Sequence, residues 1–281
     1  MLDSVRGTNL AEEIRAEIVS NQIQLPTLPE VALKVREAVE SSNSDAAEIA
    51  GLVGQDVALS ARLLQVANSP LYRGRIEIDS IQQAVTRLGI RIVRSLVVSL
   101  AMKQIFQATS EALDAKFRAI WDDSLQVAAI SRVLANNVAS LENEQALLGG
   151  LIHNIGALPI LTKVDEHYGF EARSEEIDRL ISELGPQIGA HIMQEWGFSD
   201  SLANIPIAAF DLDYDPGPEP TYADIVLVAR LQNLSAKGEP DMADWSQVPA
   251  FAKLGMQAEV LVIDVEGPTD EVAEVRGMLD S

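Results

Sequence analysis

The chain has 281 residues, 47% of them apolar and 22% charged, which is ordinary for a globular protein with a substantial core in one or two domains. It contains no cysteine, which excludes disulfides, thiolate zinc sites and cysteine nucleophiles. The net charge of −21 is uneven: residues 1–110 hold 11 Lys/Arg against 12 Asp/Glu, whereas residues 111–281 hold 10 against 30, so most of the surface repels nucleic acid and anionic lipid, and neither is expected as a partner. Met1 to Leu10 is polar, without the apolar core of a signal peptide, and a cytoplasmic location is expected.

Taken in order, Leu10 to Gln22 carries Leu10, Ile14, Ile18 and Val19 at helical spacing. Leu25 to Glu30 is a stiff connector, with Thr27 or Leu28 placed to cap and Pro29 in the first turn of a helix reaching about Glu40. Ser44 is expected to cap a short helix over Asp45–Val53, and Asp56 to cap another over Ala58–Ala67. Asn68 to Arg75 reads as a loop, and Ser80 caps a helix that Gly89 ends. Ile90 to Phe106 is the most apolar helix, and Arg87, Arg91 and Arg94 are spaced to share one side.

A long helix is expected over Phe117–Val138. Gln145 to Thr162 carries no formal charge, and Leu147, Leu148, Leu151, Ile152 and Ile155 predict one buried helix that brings His153 and Asn154 into an apolar surface. A His followed by a carboxylate there would suit a divalent ion, whereas the Asn154 amide carries no charge to offset a cation. His167 falls in a polar turn, and His191 has only Glu195 at helical spacing. Asp211 to Asp224 reads as a solvated acidic loop whose prolines do not fit a calcium loop. The last part, Asp241 to Ser281, is expected to form two or three helices, Met256 to Val265 among them, with a final one starting at Pro268. Walker, dinucleotide-binding and Gly-x-Ser-x-Gly motifs are absent.

The run Gly54-Gln55-Asp56 to Asn68-Ser69-Pro70-Leu71-Tyr72, followed by Ile78-Asp79-Ser80-Ile81 to Arg87-Leu88-Gly89, resembles the HDOD domain family of bacterial signalling proteins. Leu25-Pro26-Thr27-Leu28-Pro29 upstream and Gly150-Leu151-Ile152-His153-Asn154-Ile155-Gly156 downstream fit the same family, so the resemblance covers about residues 20–235. It implies an all-α, HD-domain-like helical bundle: an N-terminal helical lobe over 1–110, an HD-like lobe over 111–235, and a C-terminal helical extension over 236–281 on the same core. The family is related to HD metal-dependent phosphohydrolases and acts mostly through regulatory or scaffolding contacts.

The resemblance also implies where the old metal site lies. Asp123 occupies the place of the first His ligand, His153 is kept, and Asn154 replaces the adjacent Asp. Gly185 stands where relatives place a further His, Arg230 replaces the last Asp, and Phe210-Asp211-Leu212-Asp213 stands where a late His is common. No cofactor and no tightly held metal is therefore expected, although weak Mg²⁺ or Mn²⁺ binding through Asp122 and Asp123 stays open. The favoured function is a non-catalytic module that contacts other signalling proteins. A divergent phosphohydrolase acting on a nucleotide or phosphate ester is the alternative. A small-ligand sensor using the cavity and Arg87, Arg91 and Arg94 is a third reading. The expected contact surface is the loop with Asn68, Ser69, Tyr72, Arg73 and Arg75, together with Arg87, Arg91 and Arg94, because residues 56–94 hold six arginines and three acids.

Overall fold

The long helix over 117–138 begins earlier than its apolar pattern suggests, at Glu111, because Ser110 caps it by accepting the Leu113 N–H at 3.1 Å, and it ends at Ala135. This helix, α7, spans about 37 Å and is the axis of the fold. The structure, a computed structural model, describes residues 12–17, 20, 23–40, 45–108, 110–167, 174–238, 245–257 and 268–280. Among these the regular structure is all helical.

Before α7 come α1 (12–17), α2 (Glu30–Glu40), α3 (Ala46–Val53), α4 (Val57–Ala67), α5 (Ile81–Leu88) and α6 (Ile90–Met102). After it come α8 (Asn143–Ile152), α9 (Ala157–His167), α10 (Ser174–Glu195), α11 (Asp200–Ala203), α12 (Ile205–Ala208), α13 (Tyr222–Ala236), α14 (Pro249–Lys253) and α15 (Pro268–Asp280). Among the helices before α7, α2 packs on α6 and α3, and α4 and α5 pack on α6; α8, α13 and α15 surround α7. One cluster of buried apolar side chains runs from Ile14 to Leu279 through both groups of helices. Leu125, Ile130, Leu147, Leu151 and Ile152 lie at its centre, each contributing about 1.5–3 kcal/mol by leaving water.

Several local expectations are corrected. Pro29 precedes α2 rather than entering it, and its carbonyl accepts the Leu33 N–H at 3.0 Å. Asp45, not Ser44, caps α3, because its carboxylate accepts both the Ala47 and Glu48 N–H groups at 2.9 Å. The apolar helix from Ile90 stops at Met102 and tightens into a 3-10 turn over Lys103–Phe106. Asp224 does not belong to a solvated loop: it is fully buried, closes a capping box with Thr221, and with Asp215 pairs with Lys253 of α14. His167 ends α9 rather than lying in a turn. Of the helix expected over Leu10–Gln22, 12–17 are helical while 10–11, 18–19 and 21–22 lie outside the described residues. Of that over Met256–Val265, residues 258–265 lie outside them, and Met256 and Gln257 are not helical.

The most consequential correction concerns Gln145–Thr162. It is two helices, α8 and α9, joined by a turn over 153–156. Pro159 lies within the first turn of α9, where its missing N–H costs nothing. Gly156 lets the turn press on α10: a Cβ there would lie 1.9 Å from the Gly185 carbonyl oxygen and 2.6 Å from the Gly189 nitrogen. By length and composition, Asn143–Glu166 resembles a membrane span, but 83% of its apolar window is buried inside the fold.

Candidate functional site

The turn between α8 and α9 carries His153 at the inner end of a pocket of about 290 Å³. The ring is 1% exposed. Its Nδ1 lies 2.7 Å from the Gly150 carbonyl oxygen, an acceptor, so the neutral imidazole is the Nδ1–H tautomer and Nε2 is an acceptor. Burial is the largest influence on this ring and pushes its pKa down to about 4; the nearby Asp123 carboxylate and the Gly150 carbonyl oppose the shift, and the Arg230 and Lys237 charges add to it.

Asp123 reaches the pocket from α7, with Oδ2 3.9 Å from His153 Nε2. Its Oδ1 accepts from Asn233 Nδ2 at 2.7 Å and from the Lys237 ammonium. Burial disfavours its ionised form, but His153, Lys237 and Asn233 together hold its pKa below the usual carboxylate value. Phe210, just beyond α12, stacks on His153 with ring centroids 6.0 Å apart. The Arg230 guanidinium lies over the same Phe210 ring, 4.1 Å from its centroid.

Asp123, His153, Asn154 and Arg230 therefore line one pocket. Gly185 is not among its lining residues; it lies where α10 crosses the 153–156 turn, and its carbonyl is what excludes a side chain at Gly156. Sequence reasoning missed Lys116, Asn233 and Lys237. The signal was available for two of them, since Arg230, Asn233 and Lys237 are three, four and seven apart at the end of α13 and so share a face.

The donors present do not suit a divalent ion. His153 Nε2 keeps its lone pair, but the residue beside it is an amide, and an ammonium already sits on Asp123 Oδ1. Among the described residues, no group of three His, Asp or Glu side chains is placed to hold a metal.

The second predicted region divides. Asn68 clasps its own loop, donating to the Ile78 carbonyl at 2.8 Å and accepting the Ile78 N–H at 3.0 Å. The Tyr72 hydroxyl points inward and donates to Glu144 at 2.7 Å; burial pushes its pKa up. Arg132 lies over the Tyr72 ring and pairs with Glu144 and Glu271, tying the loop to α7, α8 and α15. Ser69 is half-buried, whereas Arg73, Arg75 and Ile76 are exposed, Ile76 by 77%. The three helical arginines do not form one row. Gly89, at a φ of +86°, separates α5 from α6; Arg87 bonds the Ile76 carbonyl, Arg91 pairs with Glu142, and the charges of Arg91 and Arg94 act on the Tyr222 hydroxyl. None of the three lines the His153 pocket.

Comparison with known proteins places this geometry. A solved structure from Shewanella amazonensis SB2B, named "Putative metal-dependent phosphohydrolase", has a TM-score of 0.84 and 27% identity, covering 97% of this chain and 99% of that one. An HDOD domain protein with unknown function from Geobacter sulfurreducens shares the fold, with a TM-score of 0.66 and 21% identity over 99% of this chain and 98% of that one. A curated relative from Treponema pallidum (strain Nichols), called an uncharacterized protein, is 24% identical over 251 residues, which is 84% of this chain; the chain spans only 47% of that relative's length. The family model for the HDOD domain matches residues 25–209, more than half of the sequence, and with the all-helical bundle around α7 this establishes that the chain belongs to the HDOD domain family.

Proposed function

We propose that this chain is a non-catalytic regulatory module of bacterial signal transduction, working in the cytoplasm through contacts with other signalling proteins. One observation carries the reading. Where hydrolysis of a phosphate ester would need a metal-bound water, the pocket holds the Asn154 amide, the Arg230 guanidinium, and a Lys237 ammonium paired with Asp123. Two fixed cations and an amide can attract an anion but cannot lower the pKa of a water to make a nucleophile as a metal does. The hydrolase alternative draws its support from the name of the Shewanella protein and from the retention of His153.

The contact surface in this reading is the exposed part of the loop, Arg73, Arg75 and Ile76, two cations preceding an apolar side chain, with the exposed Glu77 after it, in a protein of net charge −21. Such a patch suits an acidic partner surface with an apolar centre. Tyr72 belongs to the interior and is left out of the test.

Two measurements decide the matter. Hydrolysis of bis(p-nitrophenyl) phosphate and p-nitrophenyl phosphate is assayed with Mn²⁺ and with Mg²⁺; the expected result is a rate equal to the buffer blank, and turnover lost on His153→Ala would overturn the reading. Capture from the native lysate is then compared between wild type and Arg73→Glu/Arg75→Glu, a pair of exposed changes expected to leave folding intact. Loss of the specific partners is expected, and full retention would remove this loop as the interface.

A further inference from the structure

A groove of about 760 Å³ opens where α5 meets α6, and it shares no lining residue with the His153 pocket. Gly89 makes the elbow: its φ of +86° turns the chain between the two helices. Leu88, Ile90 and Ile92 follow one another around that elbow and line the groove, and Leu141, from the segment ahead of α8, completes it. All four are half-buried, each packed on the core with one side and open to solvent with the other. Aliphatic side chains gathered in one concave surface, rather than scattered singly, mark a place where another surface docks.

The surroundings of this groove carry the opposite charge from the rest of the chain. Residues 73–94 hold five arginines against two acids in a protein of net charge −21. Arg91 pairs with Glu142 across the groove and is matched. Arg87 is held by the Ile76 carbonyl, a neutral partner, and a Cβ on Gly74 would lie 3.5 Å from its Cζ, so the loop with Arg73 and Arg75 abuts the groove wall at the residue before Leu88. Arg73 and Arg75 are exposed and form no hydrogen bond or ion pair with the described residues. Helix α6 also starts at the groove without a side-chain cap, so the N–H groups of its first turn add the positive end of a helix dipole. At physiological salt the Debye length of about 8 Å lets this local patch, and not the distant acids, govern a close approach.

We propose that this groove receives an acidic amphipathic helix of a partner protein, its apolar stripe on Leu88, Ile90, Ile92 and Leu141 and its carboxylates over Arg73, Arg75 and the start of α6. The proposal rests on the regulatory reading above and names the kind of partner that reading requires. A helix fits better than an extended strand because the regular structure among the described residues is all helical and offers no sheet edge to pair with, so the incoming backbone has to satisfy its own hydrogen bonds. A second copy of this chain is the poorer fit. Across a two-fold axis the same arginines would oppose one another, and two chains of net charge −21 repel.

The chain has no cysteine, so Ile90→Cys introduces a single thiol for a benzophenone label in the groove, with Asn143→Cys as the second site should the first variant fail to fold. The labelled full chain is irradiated in native lysate, and the cross-linked segment is read by mass spectrometry. The expected segment belongs to another protein, has an excess of Asp and Glu, and repeats apolar residues three and four apart. Made as a synthetic peptide, it is expected to bind the full chain with a gain of helicity. Leu141→Gln and Arg73→Glu/Arg75→Glu are each expected to weaken that binding roughly tenfold. No cross-link beyond the unirradiated control from either site, a cross-link to a second copy of this chain, or a segment without an acidic excess overturns the proposal. So does peptide binding that brings no helicity or that Leu141→Gln leaves unchanged. If no cross-link forms while capture from lysate still depends on Arg73 and Arg75, the groove falls and the loop stands as the interface. Capture that survives Arg73→Glu/Arg75→Glu overturns the contact surface of the regulatory reading, and this proposal with it.

Discussion

His153 shows how much of a site's behaviour is decided by one side chain's surroundings. Its folded pKa of about 4 lies below the ordinary 6.5, so the unfolded chain takes up this proton more readily than the folded one. The contribution is neutral above the unfolded value, and stability is lost as pH falls from 6.5 toward 4. For a fully buried ring the loss between pH 7 and pH 5 is about 2 kcal/mol. Asp123, with its pKa lowered, acts in the same direction at still lower pH, because its stabilisation is present above 3.8 and fades below. Chemical unfolding at the two pH values checks this: His153→Gln is expected to flatten the pH dependence by most of that amount, and an unchanged slope would refute it. At this scale the sequence was partly legible. It placed His153 in an apolar setting and Asp123 near it. It did not place Lys237 on Asp123 or Phe210 beneath Arg230, because those pairings are made by tertiary packing among α7, α12 and α13.

Elements were legible where capping residues and breakers stand at their ends, as with Asp56, Ser80 and Gly89. They were misread where two buried helices run on without a charged residue between them. The apolar pattern of α8 continues into α9 because both are interior, so periodicity alone cannot mark the bend; Asn154, Gly156 and Pro159 were its local signs. Glycine substitutions separate the two roles this residue plays in helices. A Cβ on Gly150 would lie 2.3 Å from the Ala128 Cα, backbone that cannot yield, so Gly150→Ala is expected to destabilise by about 3 kcal/mol or more. Gly51 in α3 has nothing within 4 Å of the same atom, and Gly51→Ala is expected to stabilise by about 0.5–1 kcal/mol. Denaturant midpoints measured for both variants check the contrast, which fails if both move in one direction. The Tyr72 loop belongs to this scale too. Its tyrosine read as an interface residue from composition, but its hydroxyl is donated to Glu144 inside the fold, and Tyr72→Phe is expected to cost about 1–3 kcal/mol by leaving Glu144 short of a donor.

Over the whole molecule, the acidic excess is a standing repulsion on a core that otherwise joins the helices from α1 to α15. Raising sodium chloride from about 0.01 M to about 0.15 M shortens the Debye length from about 30 Å to about 8 Å and screens that repulsion. Thermal unfolding is expected to shift upward by several degrees over this range; a downward shift would mean that ion pairs such as Arg132–Glu271 and Lys253–Asp215 outweigh the net charge. Distribution of charge between the two parts of the chain was readable by counting. The way α15 returns to cover α7, with Arg62 donating to the Leu279 carbonyl at 2.7 Å, was not, since it joins residues 217 positions apart.

The Lys237–Asp123 pair has one more consequence. A divalent ion is on loan to a protein: it leaves for a chelator, and a competitor of higher affinity takes its place when supplies change. An ammonium carried on the end of α13 arrives with folding and departs only with unfolding. The positive charge beside Asp123 is therefore set by translation alone and does not vary with how much magnesium, manganese or iron the cell contains.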